Sequence, residues 1–216
     1  MKEWFNKPAT LLRMVLRSRK TKTSRHRRFP HAPEWHNKWD DSIWLEQYLS
    51  QGRKDFYQEV IALLPQHPAR LLDAGCGPGY FLHLLTDSTV SRKSTEFIGM
   101  DVSQAAVKVA TRRCPEASII HGSLYHIPLA PDSTDLIVCT EVLEHLLKPR
   151  QALDELMRAL QPGGHAFISV PDGEIDQWEG HNNFWSEGAF KEFLKPYQFI
   201  FERIENGRIL AATLSK

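Results

Sequence analysis

The apolar run Leu71-Leu72-Asp73-Ala74 carries an acid near its end and breaks at once into Gly75-Cys76-Gly77-Pro78-Gly79, after which a second apolar segment begins. This pattern restricts the fold more than any other stretch. Alternating glycines take positive φ angles that a Cβ opposes, so the chain must turn sharply from strand to helix, and the N–H groups of the turn are expected to face a ligand. The dinucleotide fingerprint G-x-G-x-x-G/A does not fit. Its last small residue would fall on Tyr80 counted from Gly75, and on Leu82 counted from Gly77. About twenty residues on, Phe97-Ile98-Gly99-Met100-Asp101 reads as a second strand ending in an acid, where a ribose diol needs a paired acceptor. Two strand-end acids imply a nucleoside ligand. Taken alone, Asp101 also suits the start of a helix cap, since Ser103 and a helical run follow.

Strands and helices alternate from there. Strands are expected at 70–74, 96–101, 118–121, 136–140 and 164–170, with helices after Gly79, Ser103 and Pro149, and this order predicts a parallel sheet covered on both faces. Two helices, at 43–49 and 54–64, precede the first strand, Pro65 and Pro68 closing the second. The strand-like runs 199–205 and 208–214 are separated by Asn206-Gly207, the pair favoured in a two-residue type I′ hairpin, which makes them antiparallel.

These motifs together resemble the class I S-adenosylmethionine-dependent methyltransferases. The segment 71–79 is similar to their first motif and Asp101 to their ribose-binding acid. Asp135-Leu136-Ile137-Val138-Cys139-Thr140-Glu141-Val142-Leu143-Glu144-His145 is similar to their fourth-strand motif, and Leu160-Gln161-Pro162-Gly163-Gly164 to their turn before strand five. The resemblance covers residues 71–214. It implies an α/β, Rossmann-like, seven-stranded and mostly parallel sheet with an antiparallel last strand, helices on both faces and a helical N-terminal extension. The expected division is a basic extension at 1–33 and a methyltransferase domain at 34–216, made of a helical cap at 34–68 and the core at 69–216. The implied cofactor is S-adenosylmethionine, held by Asp73, Gly75, Cys76, Gly77, Gly79, Asp101, Val102, Ser123, Leu124, Thr140 and Glu141. Ser123 stands where relatives usually carry an Asp near the adenine, which leaves the Leu124 backbone for that contact.

Candidates for the chemistry lie just past strand four. If a helical turn starts at Glu141, then Glu141, Glu144 and His145 occupy positions i, i+3 and i+4 and share a face. With His181 they can hold a divalent cation such as Mg²⁺. Glu-x-x-Glu-His followed by a distant His is similar to the metal-binding pattern of small-RNA 2′-O-methyltransferases and ubiquinone-pathway O-methyltransferases, in which a metal lowers the acceptor hydroxyl's pKa. The alternative is metal-free catalysis, with His145 as general base beside Glu144 and His181. Cys139 lies within the apolar run of strand four and reads as core. The aromatic segment 178–193, with a helix capped by Ser186, reads as the acceptor wall.

Three scattered cysteines give neither a disulfide framework nor a zinc pattern, which suits a reducing cytoplasm. The net charge of +1 divides into +9 over residues 1–30, where ten Lys/Arg face Glu3 alone, and −8 over the rest, where the other 17 basic residues meet 25 acidic ones. The arm can bind RNA or an anionic membrane surface, the latter peripherally through an amphipathic stripe of Trp4, Phe5, Leu11, Leu12, Val15 and Leu16, or that stripe can pack on the body. The apolar runs are too short to span a bilayer. Three functions stay open: methylation of a hydroxyl on a small-molecule acceptor, RNA 2′-O-methylation, and a non-catalytic cofactor-binding partner. The lack of an Asn/Asp-Pro-Pro-Tyr/Phe string after strand four, where Thr140-Glu141-Val142-Leu143 stands, favours the first over amino-group methylation of nucleic acid.

Overall fold

The computed structural model describes residues 51–216. The basic arm, its amphipathic stripe, the expected helix at 43–49 and residues 34–50 of the expected cap at 34–68 lie outside the described residues. Helix α1 (Gln51–Leu63) opens the described chain, and Leu64-Pro65 ends it. Seven strands follow: β1 (Arg70–Ala74), β2 (Glu96–Asp101), β3 (Ser118–His121), β4 (Thr134–Thr140), β5 (Leu160–Pro171), β6 (Gln198–Ile204) and β7 (Ile209–Ser215). Between them lie α2 (Tyr80–Thr86), α3 (Gln104–Arg113), a 3₁₀ turn at Leu143–His145, α4 (Pro149–Ala159) and α5 (Glu187–Leu194).

The strands form one sheet in the order β3-β2-β1-β4-β5-β7-β6, parallel except for β7, which runs antiparallel to both β5 and β6. Every expected strand is present, and the sheet has the expected seven. Burial on both faces explains the near-continuous apolar runs. Leu72, Ile98, Ile137, Ile168 and Leu210 face one core, shared with Leu153 and Leu156 of α4 and Phe190 of α5. Their neighbours Leu71, Phe97, Leu136, Phe167 and Ala211 face the other, with Phe56 of α1 and Phe81 and Leu82 of α2. The period of two places adjacent residues in opposite cores. Ser103 and Ser186 cap α3 and α5 by accepting from the N–H of Ala106 at 3.3 Å and Ala189 at 3.4 Å, as residues of that type do.

Two local expectations need refinement. The turn 160–164 falls inside the span of β5: Leu160 pairs with Thr134, His165 pairs with Leu136, and the residues between bulge out, Gly163 at φ +78°. At the β6–β7 hairpin, Asn206 (φ +56°) and Gly207 (φ +83°) have the positive φ values of a type I′ turn, and the Arg208 N–H donates to the Glu205 carbonyl at 3.2 Å. Glu205 is itself left-handed at φ +49°, so the ladder closes one pair further out, at Ile204 opposite Ile209.

Candidate functional site

The strand order runs outward in both directions from β1 and β4, which makes the crevice at their carboxyl ends the place where a ligand enters an open α/β sheet. Asp73, Asp101 and Thr140 all reach that edge: Asp73 is opposite Gly99, Asp101 opposite His121 and Thr140 opposite Ser169.

The glycine turn serves a different purpose from the one its sequence suggests. Gly75, Gly77 and Gly79 are all left-handed, at φ +88°, +52° and +75°. Their N–H groups, however, are spent inside the protein. Those of Gly75 and Cys76 both donate to the Met100 carbonyl at 2.8 and 3.0 Å, that of Gly77 to Asp101 Oδ2 at 2.9 Å, and that of Gly79 to the Cys76 carbonyl at 2.9 Å. Pro78 has none. The turn therefore offers shape rather than donors. A Cβ on Gly75 would lie 2.4 Å from Val142 Cγ2, and one on Gly79 would lie 2.9 Å from Ala110 Cβ. Glycine at 75 lets β1 approach the segment after β4, and glycine at 79 lets α2 start against α3.

Acids supply the polar character instead. Asp73 is 1% exposed and its Oδ2 has no hydrogen-bond partner, so burial, then the neighbouring Asp101, raises its pKa to about 8. Asp101 accepts from Gly77 through Oδ2 and from the Ser103 N–H through Oδ1 at 2.7 Å; burial raises its pKa, and these two bonds oppose the rise. Each of its oxygens keeps a lone pair. A ligand presenting an ammonium to Asp73 and a diol to Asp101 satisfies both, and that is the donor set of S-adenosylmethionine. Val102, Ser123 and Leu124 follow β2 and β3. His121 Nε2 lies 3.0 Å from the Val102 carbonyl, Ser123 Oγ accepts the Tyr125 N–H at 3.2 Å in a tight turn, and the Leu124 side chain is buried. Cys76 is buried with its thiol pKa pushed up by desolvation, and Cys139 is core as expected.

Past β4 the structure rearranges the expected catalytic set. Glu141 is left-handed (φ +56°), and only residues 143–145 form a 3₁₀ turn, so no α-helical face unites Glu141, Glu144 and His145. Glu141 turns to β5 instead: its N–H donates to the Ser169 carbonyl at 3.1 Å, and Ser169 Oγ donates to Glu141 Oε1 at 3.2 Å. Burial raises its pKa to about 7 against the opposing field of Arg53. Glu144, His145 and His181 do come together, one ligating atom from each lying within 4.8 Å of the others. Glu144 is 1% exposed, its Oε2 lacks a partner, and burial followed by repulsion from Glu141 pushes its pKa far up. His145 Nε2 is 3.5 Å from Glu144 Oε1 while its Nδ1 is 3.3 Å from the Gly180 carbonyl. The four-residue cation site thus shrinks to two imidazoles and one carboxylate. Such a set suits Zn²⁺, Mn²⁺ or Fe²⁺ better than Mg²⁺, which favours oxygen ligands.

Residues 37–40 positions downstream hold this turn in place. The N–H groups of Asn182 and Asn183 donate to the Glu144 carbonyl at 2.7 and 3.0 Å. Asn182 Nδ2 donates to the His145 carbonyl at 2.7 Å, and Asn183 Nδ2 to the carbonyls of Leu143 at 3.1 Å and Leu146 at 2.6 Å. Trp178 lies edge-on to both imidazoles, its ring centroid 5.9 Å from His145 and 5.0 Å from His181. Sequence reasoning missed Arg53, Ser169, Asp176 and Gly180. Only Ser169 left a signal, as the lone polar residue within Ala166-Phe167-Ile168-Ser169-Val170, where it is fully buried.

An open seven-stranded sheet of this order, with strand-end acids at its switch point, defines a nucleoside-binding α/β protein. A family model described as a methyltransferase domain matches residues 72–168. Residues 72–168 thus form a methyltransferase domain of the class I S-adenosylmethionine-dependent type. It is 39% identical over 102 residues to a probable S-adenosylmethionine-dependent methyltransferase of Mycolicibacterium smegmatis, covering 47% of this chain and 38% of that one. With the mitochondrial ubiquinone biosynthesis O-methyltransferase of Schizosaccharomyces pombe it shares 30% identity over 139 residues, covering 61% and 49%. The chain thus spans less than half the length of these relatives. Among solved structures, an Aquifex aeolicus S-adenosylmethionine-dependent methyltransferase superposes with TM-score 0.68 at 16% identity, covering 81% of this chain and 97% of that one. The N-methyltransferase NodS of Bradyrhizobium japonicum, solved with S-adenosyl-L-homocysteine, gives 0.68 at 19%, covering 85% and 97%. No helix among the described residues is long and apolar enough to cross a membrane.

Proposed function

We propose that the chain transfers a methyl group from S-adenosylmethionine to a hydroxyl of a small-molecule acceptor. The observation that carries the reading is Glu144, a buried carboxyl with an unpartnered oxygen beside His145, at the end of the strand next to the cofactor crevice. Val142, two residues before Glu144, lies directly over Gly75, so acceptor and cofactor sites share a wall.

S-Adenosylmethionine supplies an electrophilic methyl group when bound. Asp73 would hold the amine, Asp101 the ribose, and Val102, Ser123, Leu124, Thr140 and Glu141 would line the remainder. The acceptor oxygen would form the new O–C bond as the S–C bond breaks, its proton passing to the Glu144–His145 pair. Glu144 Oε1 and His145 Nε2 lie close enough to share that proton, with Nδ1–H of His145 donating to Gly180. His181 completes the pocket. No step needs a metal, although Glu144, His145 and His181 have the donors for one.

The test uses the full chain, labelled S-adenosylmethionine and fractionated cell extract. Label is expected in the small-molecule fraction. His145→Ala and Glu144→Gln should lose about 10²–10⁴-fold in kcat, the range of a general base, with cofactor affinity retained. Full activity of both variants refutes the base assignment, and loss of activity in chelator with rescue by Mn²⁺ or Zn²⁺ replaces it with a metal. Label in RNA that disappears when residues 1–30 are removed establishes the RNA reading instead. Tight cofactor binding with no label in any fraction establishes a non-catalytic partner.

A further inference from the structure

The acceptor side of the pocket is both acidic and aromatic. Residues 171–186 contain Asp172, Glu174, Asp176 and Glu179 and no Lys or Arg. Asp172 is buried and bound by Arg203 at 2.8 Å, but Glu174 and Glu179 are exposed and the Asp176 side chain is 43% exposed. Asp176 reaches the site directly, its Oδ1 lying 3.8 Å from His181 Nδ1. The neighbouring segment contributes Lys148 and Arg150, the latter lying over the Phe193 ring.

The aromatic part is fixed in place. Trp178 is 40% exposed, and a Cβ on Gly180 would fall 2.3 Å from its ring, so glycine alone lets the indole lie against the backbone there. Asp176 Oδ1 accepts the Trp178 N–H at 2.9 Å, which ties the acid to the ring. Phe184, 45% exposed, stands 5.9 Å from His181. Two exposed aromatic rings therefore flank the imidazole that sits beside Glu144. The inner wall supplies the third observation, the buried Oε2 of Glu144 that no protein group satisfies.

A carboxylate or phosphate would meet Asp176 here, on a segment that also carries the exposed Glu174 and Glu179. A bare divalent ion could use Glu144, His145 and His181 but would gain little from exposed indole and phenyl rings. An organic ammonium uses all of it: aromatic faces attract a cation through their quadrupole, the rim acids complement its charge, and a buried acceptor takes an N–H or O–H. We propose that the acceptor is an organic cation, a hydroxyl compound bearing a protonated amine, held at the mouth by Trp178, Phe184 and Asp176 with its hydroxyl directed to Glu144 and His145. This rests on the pocket being the acceptor site of a methyltransferase.

The experiment is calorimetric titration of the full chain, saturated with S-adenosylhomocysteine, with three probes of one shape: benzylammonium, benzyl alcohol and benzoate. Benzylammonium should bind at least tenfold more tightly than benzyl alcohol, and benzoate should not bind. Trp178→Ala should weaken benzylammonium at least tenfold, and Trp178→Phe should retain most of the affinity. The exposed pair Glu174→Gln/Glu179→Gln, which leaves the core untouched, should weaken it at least threefold and reduce its salt dependence. The proposal is overturned if benzyl alcohol or benzoate binds as tightly, if benzylammonium does not bind, or if these substitutions leave its affinity unchanged. It is also overturned if Mn²⁺ binds equally well to the parent and Trp178→Ala while benzylammonium binds to neither. Methyl transfer to an extract acceptor without benzylammonium binding removes the cation alone; benzylammonium binding without transfer to any fraction removes the methyltransferase reading alone.

Discussion

Gly75→Ala isolates the reason for the glycine turn. Gly75 is at φ +88°, where an L-residue costs about 1–2 kcal/mol, and its new Cβ would lie 2.4 Å from Val142 Cγ2 and 3.1 Å from Cγ1. Relief of the clash moves Val142 or the turn, at an overpacking cost of about 1–3 kcal/mol, so the total destabilisation is about 2–5 kcal/mol. The two parts separate in a double-mutant cycle. Val142→Ala removes both Cγ atoms and leaves only Val142 Cβ, at 3.4 Å, so Gly75→Ala in that background should lose the steric part and keep the backbone part. The expected coupling is favourable by about 1–3 kcal/mol. Urea denaturation of the four proteins measures it, with unchanged m-values showing that the same transition is compared. Strict additivity, or a single variant within about 0.5 kcal/mol of the parent, refutes the claim that close approach to Val142 is why residue 75 lacks a Cβ.

Asp73 should make the cofactor-free protein pH-sensitive. Its folded pKa of about 8 lies above the unfolded value near 3.9, so the folded state holds a proton that the unfolded state has lost between these values. That contribution is fully present below about pH 4 and is lost as pH rises through about 8; Glu141, raised to about 7, acts in the same sense. Melting temperature should fall over this window, Asp73→Asn should flatten the fall, and S-adenosylhomocysteine should stabilise the parent more at pH 8 than at pH 5; a parent profile unchanged by Asp73→Asn contradicts the assignment. Asn183→Ala removes hydrogen bonds to the carbonyls of Leu143, Glu144 and Leu146 and should cost about 2–3 kcal/mol by denaturation, each such bond contributing about 1 kcal/mol net. Because the same turn carries Glu144 and His145, kcat should fall more than KM rises, and Asn183→Asp, which cannot donate and faces carbonyl oxygens, should be worse than Asn183→Ala.

The sheet was legible because its signals are local. Leu71 and Leu72 alternate between two buried faces, Ser103 and Ser186 sit where helices need caps, and Asn206-Gly207 accepts the positive φ that reverses β6 into β7. These depend on a few neighbouring φ, ψ and side-chain preferences, and the spacing of Asp73 and Asp101 follows from one strand, helix and strand. What each polar group does was decided by tertiary contact. The glycine N–H groups read as ligand donors, but Met100 and Asp101 on the adjacent strand take them. Glu141 read as a partner of Glu144, but one left-handed residue turns it toward Ser169, 28 positions away. His145 and His181 meet because Asn182 and Asn183 tie the two segments together with hydrogen bonds that bridge more than 30 residues of chain. The sequence by itself determined the alternation of elements, the two-faced core and the methyltransferase motifs of residues 72–168, since backbone propensity and hydrophobic period are written residue by residue. The tertiary structure alone decided which carboxyls are buried and unsatisfied, because desolvation and pairing depend on what the rest of the chain brings against them.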